Sequence, residues 1–139
     1  MMRFVAVGVA LALAVALVLG SAAQAGDAFG TWQTETSETG AYLHVRVAPC
    51  GYDTALTCGQ IVRVENATRD DLVGRPIITG MTPDGDGRWT GGQIWAPDDD
   101  KTYGSKMALQ GEDLVVEGCF AIFCRGQTWT RVSDGGAGS

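Results

Sequence analysis

The 139-residue chain is poor in the groups that most enzyme sites use. It has one histidine, His44, and no Cys-x-x-Cys pair. A zinc site would want C-x₂₋₄-C pairs or nearby histidines, and the spacings here are seven and four residues with a single His, so zinc is the weaker rival of disulfides; a dithiol redox motif is absent. Basic residues are also scarce: ten Lys and Arg stand against sixteen Asp and Glu, a formal net charge of −6. No basic stripe offsets this balance, so nucleic acid and anionic lipid are not expected partners, and the acidity serves solubility. Beyond residue 25 no apolar run is long enough for a spanning helix of about 20 residues, and no stretch repeats apolar residues at helical spacing.

What is present begins with a leader. Arg3 precedes a run without polar side chains from Phe4 to Leu19, and Ala23-Gln24-Ala25 follows as a small-residue cleavage pattern. This reads as a secretory signal peptide, residues 1–25, cut after Ala25. No cysteine follows the run to carry a lipid. The remaining chain, Gly26–Ser139, is one domain, and loss of Arg3 takes its net charge to −7. A domain of this size buries roughly 60–70% of its unfolded surface, so cross-links help it. The expected location is periplasmic or secreted, with no membrane span after signal cleavage.

The cysteines are Cys50, Cys58, Cys119 and Cys124. An even count in an exported chain reads as disulfides, and four cysteines allow three pairings. The local pairing, Cys50–Cys58 and Cys119–Cys124, is expected because each pair then sits across the base of a hairpin. Each short loop contributes roughly 2–3 kcal/mol.

Period-two stretches broken by Gly, Asp and Pro fill the rest of the chain. They predict strands at Phe29–Glu35, Ala41–Pro49, Cys58–Glu65, Arg75–Met81, Arg88–Ala96, Lys101–Gln110, Asp113–Cys119 and Cys124–Val132, with a flexible tail at 133–139. Asp-Gly pairs mark tight turns between them. Eight short antiparallel strands joined by hairpins predict an all-β, up-and-down barrel over 26–132; a sandwich is the alternative. An eight-stranded barrel has room inside for side chains or one small ligand.

Two pieces of sequence carry a resemblance. "GTW" at Gly30–Trp32 with "TWTR" at Thr128–Arg131 resembles the lipocalin-like, calycin-type pattern, in which an early Trp closes one end of the barrel and a late basic residue stacks on it. That implies a cation–π contact between Arg131 and Trp32, about 0.5–2 kcal/mol. More extensively, "GTWQT", "CGQIV", "GRPI", "WTGGQIWAPDDDKTY" and "FCRGQTWTRV" are similar to a bacterial secreted family, domain-of-unknown-function family 2147. The resemblance implies a lipocalin-like fold and an exported protein; the family carries no established activity. Two departures are visible: the loop before Arg75-Pro76 is short, and Asp100 stands where a glycine is usual. Asp tolerates left-handed backbone, so the turn is expected to survive.

For catalysis, His44 is the only candidate base, and it alternates onto the polar face of its strand with Tyr42 and Arg46. Ser105 lacks a nucleophile elbow. An enzyme is therefore not expected. Asp84/Asp86 and Asp98/Asp99/Asp100 fall where turns are required; no complete calcium loop is present, and neither metal nor cofactor is expected. Asn66-Ala67-Thr68 matches a glycosylation sequon, read here as chance because the resemblance is bacterial.

The aromatic positions are more informative. Trp89 and Trp95 have the same parity on the fifth strand, with Gln93 between them. Tyr103 shares a face with Ser105, Met107 and Leu109. Arg125 and Gln127 share parity with Trp129 and Arg131, so this face is polar unless a bulge near Gly126 changes it. If these faces point inward, Trp89, Gln93, Trp95, Tyr103, Arg125 and Gln127 line a ligand site with aromatic walls and a few polar groups; otherwise the aromatics fill the core. Between the last cysteines, Phe120-Ala121-Ile122-Phe123 form an apolar tip. The preferred reading tucks both phenylalanines under the rim; the other makes the tip a gate or a contact. The function expected is that of a carrier or sensor of a small, partly apolar molecule. An envelope protein–protein interaction or inhibitor module using the barrel rim is the alternative.

Overall fold

A computed structural model describes residues 27–133. The expected signal peptide, residues 1–25, and the expected tail beyond Ser133 lie outside the described residues. Eight strands run β1 (Gly30–Gln33), β2 (Tyr42–Pro49), β3 (Thr57–Glu65), β4 (Pro76–Pro83), β5 (Arg88–Ala96), β6 (Lys101–Gln110), β7 (Asp113–Phe120) and β8 (Phe123–Ser133). Each pairs antiparallel with the next, and β1 also pairs with β8, closing the barrel. The up-and-down order puts the β1–β2, β3–β4, β5–β6 and β7–β8 connections at one end. The other connections and both described termini lie at the opposite end.

Closure depends on a short seam. Trp32 of β1 faces Arg131 of β8, and Gln33 faces Thr130, with one extra residue, Val132, bulged out of β8. The expected stack is present: the Arg131 guanidinium carbon lies 4.2 Å from the Trp32 ring centroid. Arg131 also donates to the carbonyls of Phe29 (2.9 Å) and Asp27 (3.0 Å), and the Trp32 indole N–H donates to Ala28 O at 2.7 Å. Cation, ring and incoming backbone thus close this end together, so the half-buried guanidinium and the buried indole are left with few unmet donors.

The core follows from alternation. Val45 and Val47 on β2, Ile61 on β3, Ile78 and Met81 on β4, Leu114 and Val116 on β7 and Trp129 on β8 are buried and point inward. Each such aliphatic side chain contributes about 1.5–3 kcal/mol. These residues fill the half of the barrel next to Trp32. Near the middle, Gly92 carries no side chain because there is no room for one: a Cβ there would lie 2.7 Å from Met81 Sδ and 2.8 Å from Thr79 O.

Both disulfides form with the local pairing, Cys50–Cys58 and Cys119–Cys124. The acidic turn positions also behave as turn residues: Asp86 and Asp100 take positive φ, 54° and 51°. A 3-10 turn at Asp70–Leu72, not anticipated from sequence, lays Leu72 into the core.

Candidate functional site

Register decides which sequence-predicted residues share a space. On β6 the parity is unbroken, and Tyr103, Ser105, Met107 and Leu109 all face inward, as expected. On β8 the pairing with β7 also runs without a bulge from Phe123 to Thr130. Arg125 and Gln127 therefore share the inner face with Trp129 and Arg131, and the face is polar at its upper end.

The fifth strand departs from the expectation. Its register against β6 slips by one residue between Trp89 and Gly92, where Gly91 takes a φ of 71°. A bulge of one residue reverses parity. Trp89 is buried near the closed half, opposite Met107, while Gly92 and Ile94 take the inward positions beyond the bulge. Gln93 is consequently on the outer face, opposite Gly104, and so is Trp95, opposite Thr102. Trp95 is held there by the Arg75 guanidinium, 3.8 Å from its ring centroid, and by its indole N–H to Asp100 Oδ1 at 2.9 Å. The expectation that Trp89, Gln93 and Trp95 share one face fails for this reason. The consecutive glycines in "WTGGQIW" were the available signal.

What gathers instead is the inner face of β5–β8 at the end of the barrel away from Trp32. One cross-strand row reads Gly92, Ser105, Gly118, Arg125. Ser105 is tied down by donating to Glu117 O at 2.7 Å. Gly118 lies against Ile94 and Tyr103: a Cβ on it would meet them at 3.4 and 3.8 Å, ordinary contact distances. The row above holds Ile94 and Tyr103, and continuing the β6–β7 register sets Phe120 opposite Tyr103 and Phe123 opposite Phe120. Phe120 and Phe123 thus carry the inward parity but stand beyond the rim, 73% and 74% exposed. They are not tucked under it: they flank a two-residue turn, Ala121-Ile122, and β8 runs on past β1, which stops at Gln33. Sequence reasoning marked the tip but not its parity, and it missed Ile94 and Gly118.

Polar groups finish the mouth. Arg125 is exposed and makes no hydrogen bond or ion pair among the described residues. Gln127 accepts the Trp129 indole N–H at 3.0 Å and keeps its own amide hydrogens available. Below this level the barrel is filled by side chains, and the open end presents Tyr103, two exposed phenylalanines, one guanidinium and one amide.

His44 lies elsewhere, on the outer face of β2. Its ring is 5.8 Å from Tyr42, and its Nε2 bonds Gln33 Oε1 at 3.2 Å. Partial burial, assisted by the charge of Arg63 and opposed by Glu65, lowers its pKa below 6.5. No carboxylate orients it, so its surroundings give no nucleophile–base pair.

Comparison with known proteins agrees with this geometry. A lipocalin-family protein of Helicobacter pylori, HP1028, superposes with a TM-score of 0.63 at 17% identity, covering 78% of this chain and 84% of that one. At that identity the likeness shows the fold alone. No curated protein matches the chain in sequence. The profile of the family described as "Uncharacterized protein conserved in bacteria (DUF2147)" matches residues 30–131, from the closing Gly-x-Trp to the stacked Arg131, and the chain belongs to that family.

Proposed function

We propose that the protein is an exported, bacterial periplasmic or secreted binder of a small amphipathic molecule, acting as a carrier or sensor and not as an enzyme. The observation that carries this reading is the gathering of three aromatic side chains of inward parity, Tyr103, Phe120 and Phe123, at the open end, beside a guanidinium, Arg125, that has no partner among the described residues. An apolar ligand body laid across Tyr103, Ile94 and the two phenylalanines removes their surface from water. Arg125 and the Gln127 amide orient its polar end. The lipocalin-like barrel supports the reading, because such barrels hold ligands at one end while the other is plugged. The two disulfides fit an extracytoplasmic location.

The test is native mass spectrometry on protein isolated from the bacterial envelope, with a denatured sample as control. It is paired with titration of the anionic aromatic dye 1-anilinonaphthalene-8-sulfonate. A co-purifying mass released on denaturation is expected. Tyr103→Ala and Arg125→Ala are each expected to weaken dye binding, the latter about tenfold, the size of one charge-assisted hydrogen bond. A bare chain whose dye binding ignores both substitutions overturns the reading.

A further inference from the structure

β8 is longer than the strand that closes against it. β1 pairs only with Thr130–Ser133, so Phe123–Thr128 has β7 on one side and no strand on the other. Every residue from Phe120 to Thr128 is exposed. Along an antiparallel strand, alternate residues direct both N–H and C=O to the same side. The Thr128 N–H donates to the Glu35 carboxylate at 3.0 Å, away from β7. Gly126 and Cys124, two and four residues nearer the tip in an unbroken register, direct their backbone groups the same way, and no described residue meets them. Sheet edges are ordinarily blunted by charged side chains, Pro, a bulge or a covering loop; Phe123–Thr128 has no Pro, Lys or bulge, its one charge is Arg125, and among the described residues the loop after β1 bonds to it through Glu35 at Thr128.

From this edge we infer a docking site for an extended segment of another protein, added to β8 as a ninth strand. A second copy of the chain does not fit. A two-fold axis at Arg125 sets two guanidiniums directly opposite each other, at the close spacing of a pair that shares no backbone bonds, where like charges repel. An axis at Gly126 needs the Thr128 N–H that Glu35 already holds. Charge selects the partner instead. Arg125, without an ion pair of its own, calls for Asp or Glu opposite it, and an antiparallel partner then sets its residue two positions on against Phe123, where an apolar side chain is required. The partner is an extended acidic-x-apolar segment. The site shares Arg125 and Phe123 with the mouth but adds the backbone of Cys124 and Gly126, whereas the small-molecule reading adds Tyr103, so Gly126→Pro and Tyr103→Ala separate the two.

The probe is acetyl-KTVEVLTK-amide, followed by amide hydrogen exchange in the full exported chain. It is expected to slow exchange at Gly126 and Cys124, and acetyl-KTVKVLTK-amide is expected to bind at least tenfold more weakly. Gly126→Pro deletes the edge N–H without touching the ladder to β7, since proline is tolerated where N–H faces solvent. It is expected to abolish protection at Cys124. Gly126→Ala is the folded control, because its Cβ meets Glu117 and Val115 at 3.5 and 3.6 Å, ordinary contact distances. Arg125→Glu, which leaves the backbone unchanged, is expected to reverse the preference between the two peptides. Unchanged exchange at both amides at the highest soluble peptide concentration overturns the inference. So does binding that survives Gly126→Pro, and so does protection that rises with protein concentration without peptide, which means self-pairing.

Discussion

Arg131 and Arg125 sit on the same face of the same strand, three alternations apart, and their surroundings are opposite. Arg131 covers a fully buried tryptophan and donates to two carbonyls. Arg125 faces a glycine across the ladder and has no partner among the described residues. The closed end spends its aromatic surface on core: Trp32 and Trp129 are almost wholly buried. The open end leaves Phe120 and Phe123 in water, braced by a disulfide four residues of loop apart. A cation stacked on a ring is a structural device when both are satisfied. The same residue types left unsatisfied at a rim mark a place where something else completes the contact.

The largest way to test that contrast is Trp32→Ala. It removes a buried aromatic and the platform of Arg131, and should lower stability by about 3–5 kcal/mol in urea unfolding. Arg131→Ala should cost less, because the ring remains. A change at Trp32 smaller than that at Arg131 would mean the closed end is held by charge and not by packing. Replacing both Cys119 and Cys124 by Ser should cost roughly 2–3 kcal/mol. Its sharper signature is faster amide exchange confined to the β7–β8 tip, with Trp32 and its neighbours unaffected.

These two ends differed in how far they could be read from sequence. The Trp32–Arg131 closure was legible through the resemblance of Gly-x-Trp and Trp-Thr-Arg to the lipocalin-like pattern, since Gly-x-Trp by itself is common. The disulfides were legible because short loops leave little choice. The strands were legible from period-two alternation. Parity beyond the Gly91 bulge was not, because alternation gives a face only while the register is unbroken; Gln93 and Trp95 were therefore assigned to the wrong side. Nor was the exposure of Phe120 and Phe123 legible. How far a hairpin overshoots its barrel depends on where the neighbouring strands stop, and β1 stops at Gln33, earlier than its sequence pattern suggests.

The outer face offers a smaller effect, with a sign fixed by titration. His44 has a folded pKa below its unfolded value, chiefly through burial. The unfolded chain therefore binds the proton first as pH falls through 6.5, and stability drops from there down through the folded pKa. His44→Gln should flatten that slope in thermal unfolding between neutral and mildly acidic pH. An unchanged slope would assign the acid sensitivity to carboxylates.

The smallest expected change in stability is also the one that separates the two ends most cleanly. Arg125→Ala removes a side chain with no partner among the described residues, so unfolding should stay within about 0.5 kcal/mol of the parent. Arg131→Ala should lose about 0.5–2 kcal/mol from the stack alone, with its carbonyl contacts adding to that. Measured side by side, the two substitutions delete the same group from the same strand face, so differences in helix or strand propensity cancel. If Arg125→Ala is silent in unfolding while it weakens ligand or peptide binding, the rim arginine is held for an external partner. If it destabilises the fold as much as Arg131→Ala does, Arg125 has a structural contact in solution, and the open end is a second closure and not a mouth.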